Sequence, residues 1–131
     1  MIIYAIGDVH GRLELLNNLL SQIENDDAQG HDKEVVFLGD YVDRGTDSDR
    51  VLDFLMGLDD ILGTDSVKHI FIKGNHEDMM VNVYHRDGHV DMWVTTGGRL
   101  TLDAFECVSI VDRSESYKCG EWEYGSERHP T

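Results

Sequence analysis

Val35-Val36-Phe37-Leu38-Gly39-Asp40-Tyr41-Val42-Asp43-Arg44-Gly45 carries an apolar run directly into a polar block closed by glycines. Val35 to Leu38 are rich in β-branched and aromatic side chains and too few for a helix, so they read as a strand. Gly39 lets the backbone turn sharply, and the acids and Arg44 then follow at the strand's carboxyl end. The same construction occurs twice more. Ile2 to Ile6 runs into Gly7-Asp8-Val9-His10-Gly11, and Val67 to Ile72, interrupted by Lys68 and His69, leads to Gly74-Asn75-His76-Glu77. Apolar runs of this length suggest parallel strands buried on both faces.

Helical patterns separate the three runs. Leu13, Leu16, Leu20 and Ile23 share one face, as do Val51, Phe54, Leu55, Leu58 and Leu62, with Ser48 as a cap before the second set. Met79, Met80, Val83 and Tyr84 mark a third helix with its methionines in the core, and Gly97-Gly98 precedes another from Leu100 to Phe105. The alternation predicts an α/β layered fold of β-α-β units, whose loops at the strands' carboxyl ends converge on the ligand site. Asp8 and Asp40 are 32 positions apart and Asp40 and Asn75 are 35 apart, so each pair is separated by one unit. Beyond Glu106, Val108 to Val111 reads as a strand, Tyr117 to Tyr124 as a ragged hairpin, and residues 125–131 as a frayed end.

The chain is 131 residues with a net charge of -15 and only 11 lysines and arginines, which excludes nucleic acid and anionic membrane surfaces as partners. The first apolar run is too short to span a bilayer and lacks the flanks of a leader, so a cytoplasmic location is expected. Cys107 and Cys119 have no metal-type spacing and are expected as free thiols in a reducing compartment, a bridge between them being the alternative for an exported protein.

Asp, His and Asn offer hard oxygen and borderline nitrogen donors without thiolates, suited to manganese, iron, zinc or magnesium. A carboxylate such as Asp40 has two oxygens and can bridge two cations held roughly 3.5–4 Å apart. Arg44 presents a planar fork matching two phosphate oxygens. His76, beside Asn75, can protonate a leaving oxygen, and Asp43 can orient its ring.

These three blocks resemble the phosphoprotein phosphatase branch of the calcineurin-like metallophosphoesterases, whose motifs read GDxHG, GDxxDRG and GNHE. The stretch from Trp93 through Gly97-Gly98 to Thr101-Leu102 is similar to bacterial and phage members. The resemblance covers residues 1–106 and implies the N-terminal half of an αββα sandwich, leaving residues 107–131 as a divergent or truncated tail. It implies that Asp8 and His10 bind a first metal, that Asp40 bridges both, and that Asn75 binds the second. It makes His76 the general acid supported by Asp43, and gives Arg44, with Asn75, the phosphate. The cofactors implied are two divalent ions, manganese first, with iron or zinc as alternatives, and the nucleophile is a metal-bridging hydroxide. The expected function is a metal-dependent serine/threonine protein phosphatase. The alternatives are hydrolysis of diadenosine polyphosphates or another small phosphoester, or a non-catalytic fragment binding one metal.

Family members carry two later histidines for the second metal, and no histidine here has their Gly-His or His-Ala-Gly context. His31, His69, His85, His89 and His129 are given no ligand role, and His69 is expected as a partnered core or flank residue. The chain therefore reads as C-terminally truncated. One sheet face should be exposed, which favours self-association.

Overall fold

The computed structural model describes residues 1–60, 67–85, 89–109, 117–119 and 122–124. Strands β1 (Ile2–Ile6), β2 (Lys33–Phe37) and β3 (Val67–Phe71) form a parallel sheet in that order, with Ile6 opposite Phe37 and Phe37 opposite Phe71. Helix α1 (Leu13–Asn25) returns the chain from β1 to β2, and α2 (Ser48–Asp60) follows β2. The α/β layering expected from the apolar periodicity is thus present. The part of the second helical pattern at Leu62 lies outside the described residues.

Alternation along the strands explains where the core sits, because successive side chains point to opposite faces. Tyr4, Ile6, Val35, Phe37, Val67 and Phe71 pack with Leu16 and Ile23 of α1 and Val51 and Leu55 of α2 in one cluster. Val35, Phe37 and Val51 are essentially inaccessible to water, each such side chain contributing about 1.5–3 kcal/mol of hydrophobic stabilisation. Burial on both faces does not hold. Among the described residues α1 and α2 pack on one face, while Ile3, Leu38 and Ile72 are 56%, 49% and 48% exposed.

His69 also departs from expectation. Its ring lies 6.2 Å from that of Phe37, but its buried Nδ1 has no hydrogen-bond partner. It borders a cavity of about 720 Å³ with Lys33, whose ammonium is occupied by the carbonyls of Ile23, Glu24 and Asp26 at the end of α1.

A second cluster, with Val83, Val90, Trp93 and Leu102 at its centre, joins α3 (Asn75–Tyr84), α4 (Val90–Trp93) and α5 (Arg99–Ala104). Met79 and Met80 pack against it, as their spacing predicts. Between α4 and α5 the chain makes a wide turn, Val94–Gly98, kinked at Gly97 with φ 120°.

Beyond α5, β4 (Val108–Ser109), β5 (Tyr117–Cys119) and β6 (Trp122–Tyr124) form a small antiparallel sheet. The expected late strand and hairpin are there, whereas residues 110–116, 120–121 and 125–131, with His129, lie outside the described residues. Val108 pairs with Lys118, so the register extended by one position sets residue 107 opposite residue 119. Cys107 is disulfide-bonded, and Cys119 is the sequence's other cysteine. Directly opposed residues of an antiparallel ladder have the Cα separation a disulfide needs. The expectation of free thiols therefore fails at Cys107, and with it the support that cysteine usage lent to a reducing compartment.

Candidate metal centre

The three polar blocks leave the carboxyl ends of β1, β2 and β3 and meet. Ligand-type atoms of Asp8, His10 and Asp40 all lie within 4.8 Å of one another, with Asp8 exposed and the other two half-buried. His10 directs Nδ1 to the Val42 carbonyl at 2.8 Å. This fixes the tautomer with the proton on Nδ1 and leaves Nε2 with a lone pair for a metal.

Asn75 begins α3 with its amide oxygen 3.1 and 3.2 Å from the two Asp40 carboxylate oxygens. Without a cation such an acceptor–acceptor approach is repulsive, and turning the amide over would let its nitrogen donate to Asp40. In the present orientation the Asn75 oxygen and the Asp40 carboxylate would both be available to hold a cation. The donor set therefore fits a hard divalent ion at Asp8, His10 and Asp40, with Asn75 beside it.

The backbone here is unusual for side-chain-bearing residues. Asp8, His10, Asp40, Asp43 and Arg44 have φ of 53°, 44°, 57°, 75° and 68°. Such left-handed conformations cost energy and persist where surrounding contacts overdetermine them, as at functional sites. The loops also touch closely. A Cβ on Gly74 would lie 2.3 Å from the Asp40 Oδ1, and one on Gly45 would lie 2.1 Å from the His10 carbonyl oxygen. No other residue fits at either position.

Glu77, to which the sequence reading gave no role, ties the loops together. Its Oε1 accepts the backbone N–H groups of Asp40 (2.6 Å) and Gly74 (2.9 Å), and its Oε2 those of Tyr41 (2.8 Å) and Val42 (3.3 Å). The available signal was its place three residues after Gly74, the spacing at which a Glu reaches back to a helix start. Tyr41 locks the same loop by donating to the Ile72 carbonyl at 2.7 Å, and burial is the main cause raising its phenol above the usual range.

Beside the metal-type group, the buried His76 directs Nδ1 to Asp43 Oδ2 at 2.7 Å, and its ring centroid lies 4.7 Å from that of His10. His76 Nε2 remains for another partner. Asp43 is wholly buried; Trp93 Nε1 also donates to its Oδ2 at 2.8 Å, and the Thr101 hydroxyl to its Oδ1 at 2.6 Å. Ser48, at the start of α2, accepts the Asp43 N–H on its hydroxyl at 3.1 Å. Neither Trp93 nor Thr101 was singled out for a role from sequence, because the contacts span 50 and 58 positions. Arg44 has an exposed side chain and donates its backbone N–H to the Gly97 carbonyl at 3.1 Å.

A three-stranded parallel sheet thus brings a carboxylate–histidine group that could hold a metal ion to its carboxyl edge. The calcineurin-like phosphoesterase family model matches residues 1–124, and the chain belongs to that family. It is similar to serine/threonine-protein phosphatase 2 of Escherichia coli (strain K12), 32% identical over 101 residues, covering 77% of this chain and 40% of that protein. It is also similar to the symmetrical bis(5'-nucleosyl)-tetraphosphatase of Methylococcus capsulatus (strain ATCC 33009 / NCIMB 11132 / Bath), 39% identical over 124 residues, covering 89% of this chain and 41% of that one. Among solved structures it resembles a cold-active protein tyrosine phosphatase, with a TM-score of 0.55, 25% identity, and coverage of 79% and 30% of the two chains. The chain thus spans about two fifths of these two curated relatives. No helix among the described residues is long and apolar enough to cross a membrane.

Proposed function

We propose that this chain is a metal-dependent phosphoester hydrolase of the serine/threonine protein phosphatase type. The observation that supports it most is the convergence of Asp8, His10 and Asp40 within 4.8 Å, with the His76–Asp43 pair alongside. Asp8, His10 and Asp40 would hold one divalent ion and Asp40 with Asn75 a second, manganese being the ion proposed. Such ions supply positive charge to phosphoryl oxygens and lower the pKa of bound water.

The remaining roles belong to this chain's own side chains. Arg44, with Asn75, engages the phosphate, and its exposed guanidinium is free to offer two parallel N–H donors. His76 gives a proton from Nε2 to the leaving oxygen while Asp43 keeps hold of the Nδ1–H, so the ring stays aimed. The expected result is that His76→Ala lowers manganese-dependent turnover of a phosphoserine peptide by about 100-fold. The loss on p-nitrophenyl phosphate is smaller, because its leaving group departs without a proton. Equal turnover by the variant would remove His76 from the mechanism.

A second reading, hydrolysis of dinucleoside polyphosphates, has support in the 39% identity to a bis(5'-nucleosyl)-tetraphosphatase. Parallel assays with the phosphoserine peptide and diadenosine tetraphosphate separate the two. No turnover of either, with manganese titrating to a single site, favours a non-catalytic fragment. Self-association through the open sheet face is also proposed, supported by the exposed Ile3, Leu38 and Ile72. Sedimentation should show a concentration-dependent dimer that Ile72→Lys returns to monomer; a monomer at all concentrations removes the idea.

A further inference from the structure

The Asp43 carboxylate receives more donors than a simple histidine partner requires. Its Oδ2 takes both the His76 Nδ1–H and the Trp93 indole N–H, at 2.7 and 2.8 Å. Its Oδ1 takes the Thr101 hydroxyl at 2.6 Å, and Thr101 in turn accepts the Asp43 backbone N–H at 2.8 Å. All four residues are buried: Asp43 0%, Thr101 1%, Trp93 2% and His76 5% exposed. A carboxylate has only two oxygens, and here an indole and a hydroxyl from a distant segment fix the plane in which they lie.

That segment is shaped for the purpose. A Cβ on Gly98 would sit 2.5 Å from the Trp93 ring atom Cε2, so only glycine allows the indole to lie where it reaches Asp43. Gly97, at φ 120°, turns its carbonyl to the Arg44 N–H at 3.1 Å, and a Cβ there would lie 2.7 Å from the Arg44 Cγ. A purely packing role for Trp93 would be served by any large apolar side chain and would not need its N–H spent on a buried acid.

We propose that Trp93 and Thr101 are positioning residues for proton transfer by the His76–Asp43 pair. This rests on the reading of His76 as proton donor. By holding both carboxylate oxygens, they keep Asp43 Oδ2 in line with the His76 Nδ1–H, so that Nε2 faces the leaving oxygen. In that step a hydroxide ion attacks phosphorus and its new oxygen–phosphorus bond forms as the bond from phosphorus to the leaving oxygen breaks, with that bond's electron pair going to the leaving oxygen. The His76 Nε2 proton passes to that oxygen, leaving a neutral imidazole still hydrogen-bonded through Nδ1.

The test compares phenyl phosphate, whose leaving group needs the proton, with p-nitrophenyl phosphate, whose leaving group does not. Trp93→Phe keeps the ring packing and removes the N–H; Thr101→Val keeps the shape and removes the hydroxyl. Each should lower kcat on phenyl phosphate by about tenfold, with little change in KM and a loss of twofold or less on p-nitrophenyl phosphate. Thr101→Ser, which retains the hydroxyl, should restore the wild-type ratio. Equal losses on both substrates mean a merely structural role and overturn the proposal, as does no loss at all. Thr101→Val carries the test if Trp93→Phe fails to fold.

His76→Ala on the same substrate pair separates the two readings. If it shows no extra penalty on phenyl phosphate, the proton-donor reading falls; if it does and Trp93→Phe does not, only the positioning role falls. A readout without turnover comes from proton NMR of the metal-free protein. A downfield, exchange-protected His76 Nδ1–H should be present in the wild type and weakened in Trp93→Phe and Thr101→Val. The same resonance, unchanged in both variants, would overturn the proposal even if the chain hydrolyses neither substrate.

Discussion

Asp40→Asn should abolish the response of the protein to manganese. In the unsubstituted chain, saturating manganese raises the melting temperature, because an ion that binds only the folded state stabilises it by mass action. The Asn variant should lose at least about 100-fold in affinity, more than the 10–100-fold that loss of a mere supporting partner costs. Two features make the substitution a clean probe. Asn tolerates the left-handed backbone that Asp40 adopts at φ 57°, so the loop is not strained further. It also keeps an oxygen that can accept the His76 N–H, now 3.1 Å from Asp40 Oδ1. Without metal the variant should be slightly more stable than the wild type. The ligand atoms of Asp8 and Asp40 lie within 4.8 Å, and two like charges at such a distance near solvent repel by about 1 kcal/mol. Calorimetric titration and thermal unfolding with and without manganese read both effects. Unchanged stoichiometry with an unchanged shift in melting temperature would exclude Asp40 as a shared ligand.

The second large effect is on folding. Glu77→Ala should cost about 4 kcal/mol, because it strands four backbone N–H groups, those of Tyr41 and Val42 in buried bonds and those of Asp40 and Gly74 in half-buried ones. Glu77→Gln should cost about 2 kcal/mol, since one amide oxygen remains but the NH₂ now points its own donors at N–H groups. Urea unfolding gives both numbers, and a loss below about 1 kcal/mol in the Ala variant would mean the loops hold without Glu77. The clamp has a functional corollary. It fixes the loop of residues 40–42 to Gly74 at the start of α3, so the positions of Asp40 and Asn75 relative to each other depend on it. A protein that folds without this clamp should bind manganese weakly even with all four ligand-type residues in place.

The sequence by itself determined the strand–helix alternation and the residues gathered at the sheet's carboxyl edge. The reason is local: short β-branched runs cannot form helices, and glycine-bounded acids following them fall at strand ends. Asp8, His10, Asp40, Asn75, His76, Asp43 and Arg44 were all named from motif chemistry and spacing. Parallel pairing, in which Ile6, Phe37 and Phe71 lie side by side, brings together the loops that carry Asp8, His10, Asp40, Asp43, Asn75 and His76.

Tertiary structure alone decided the partners that depend on contacts across many residues. Trp93 and Thr101 reach Asp43 only because α4 and α5 fold back over the second loop, and nothing in the local sequence of Trp93 announces a buried acid 50 positions earlier. Glu77 sits in a motif the sequence made visible, yet its four amide partners come from two loops brought together by the sheet. The spacing of the cysteines likewise left the choice between free thiols and a bridge undecided, and the disulfide at Cys107 goes with the antiparallel register of β4 and β5. Local propensity and pattern fixed what each segment is; which buried donor meets which acceptor is a property of packing, and packing is not local.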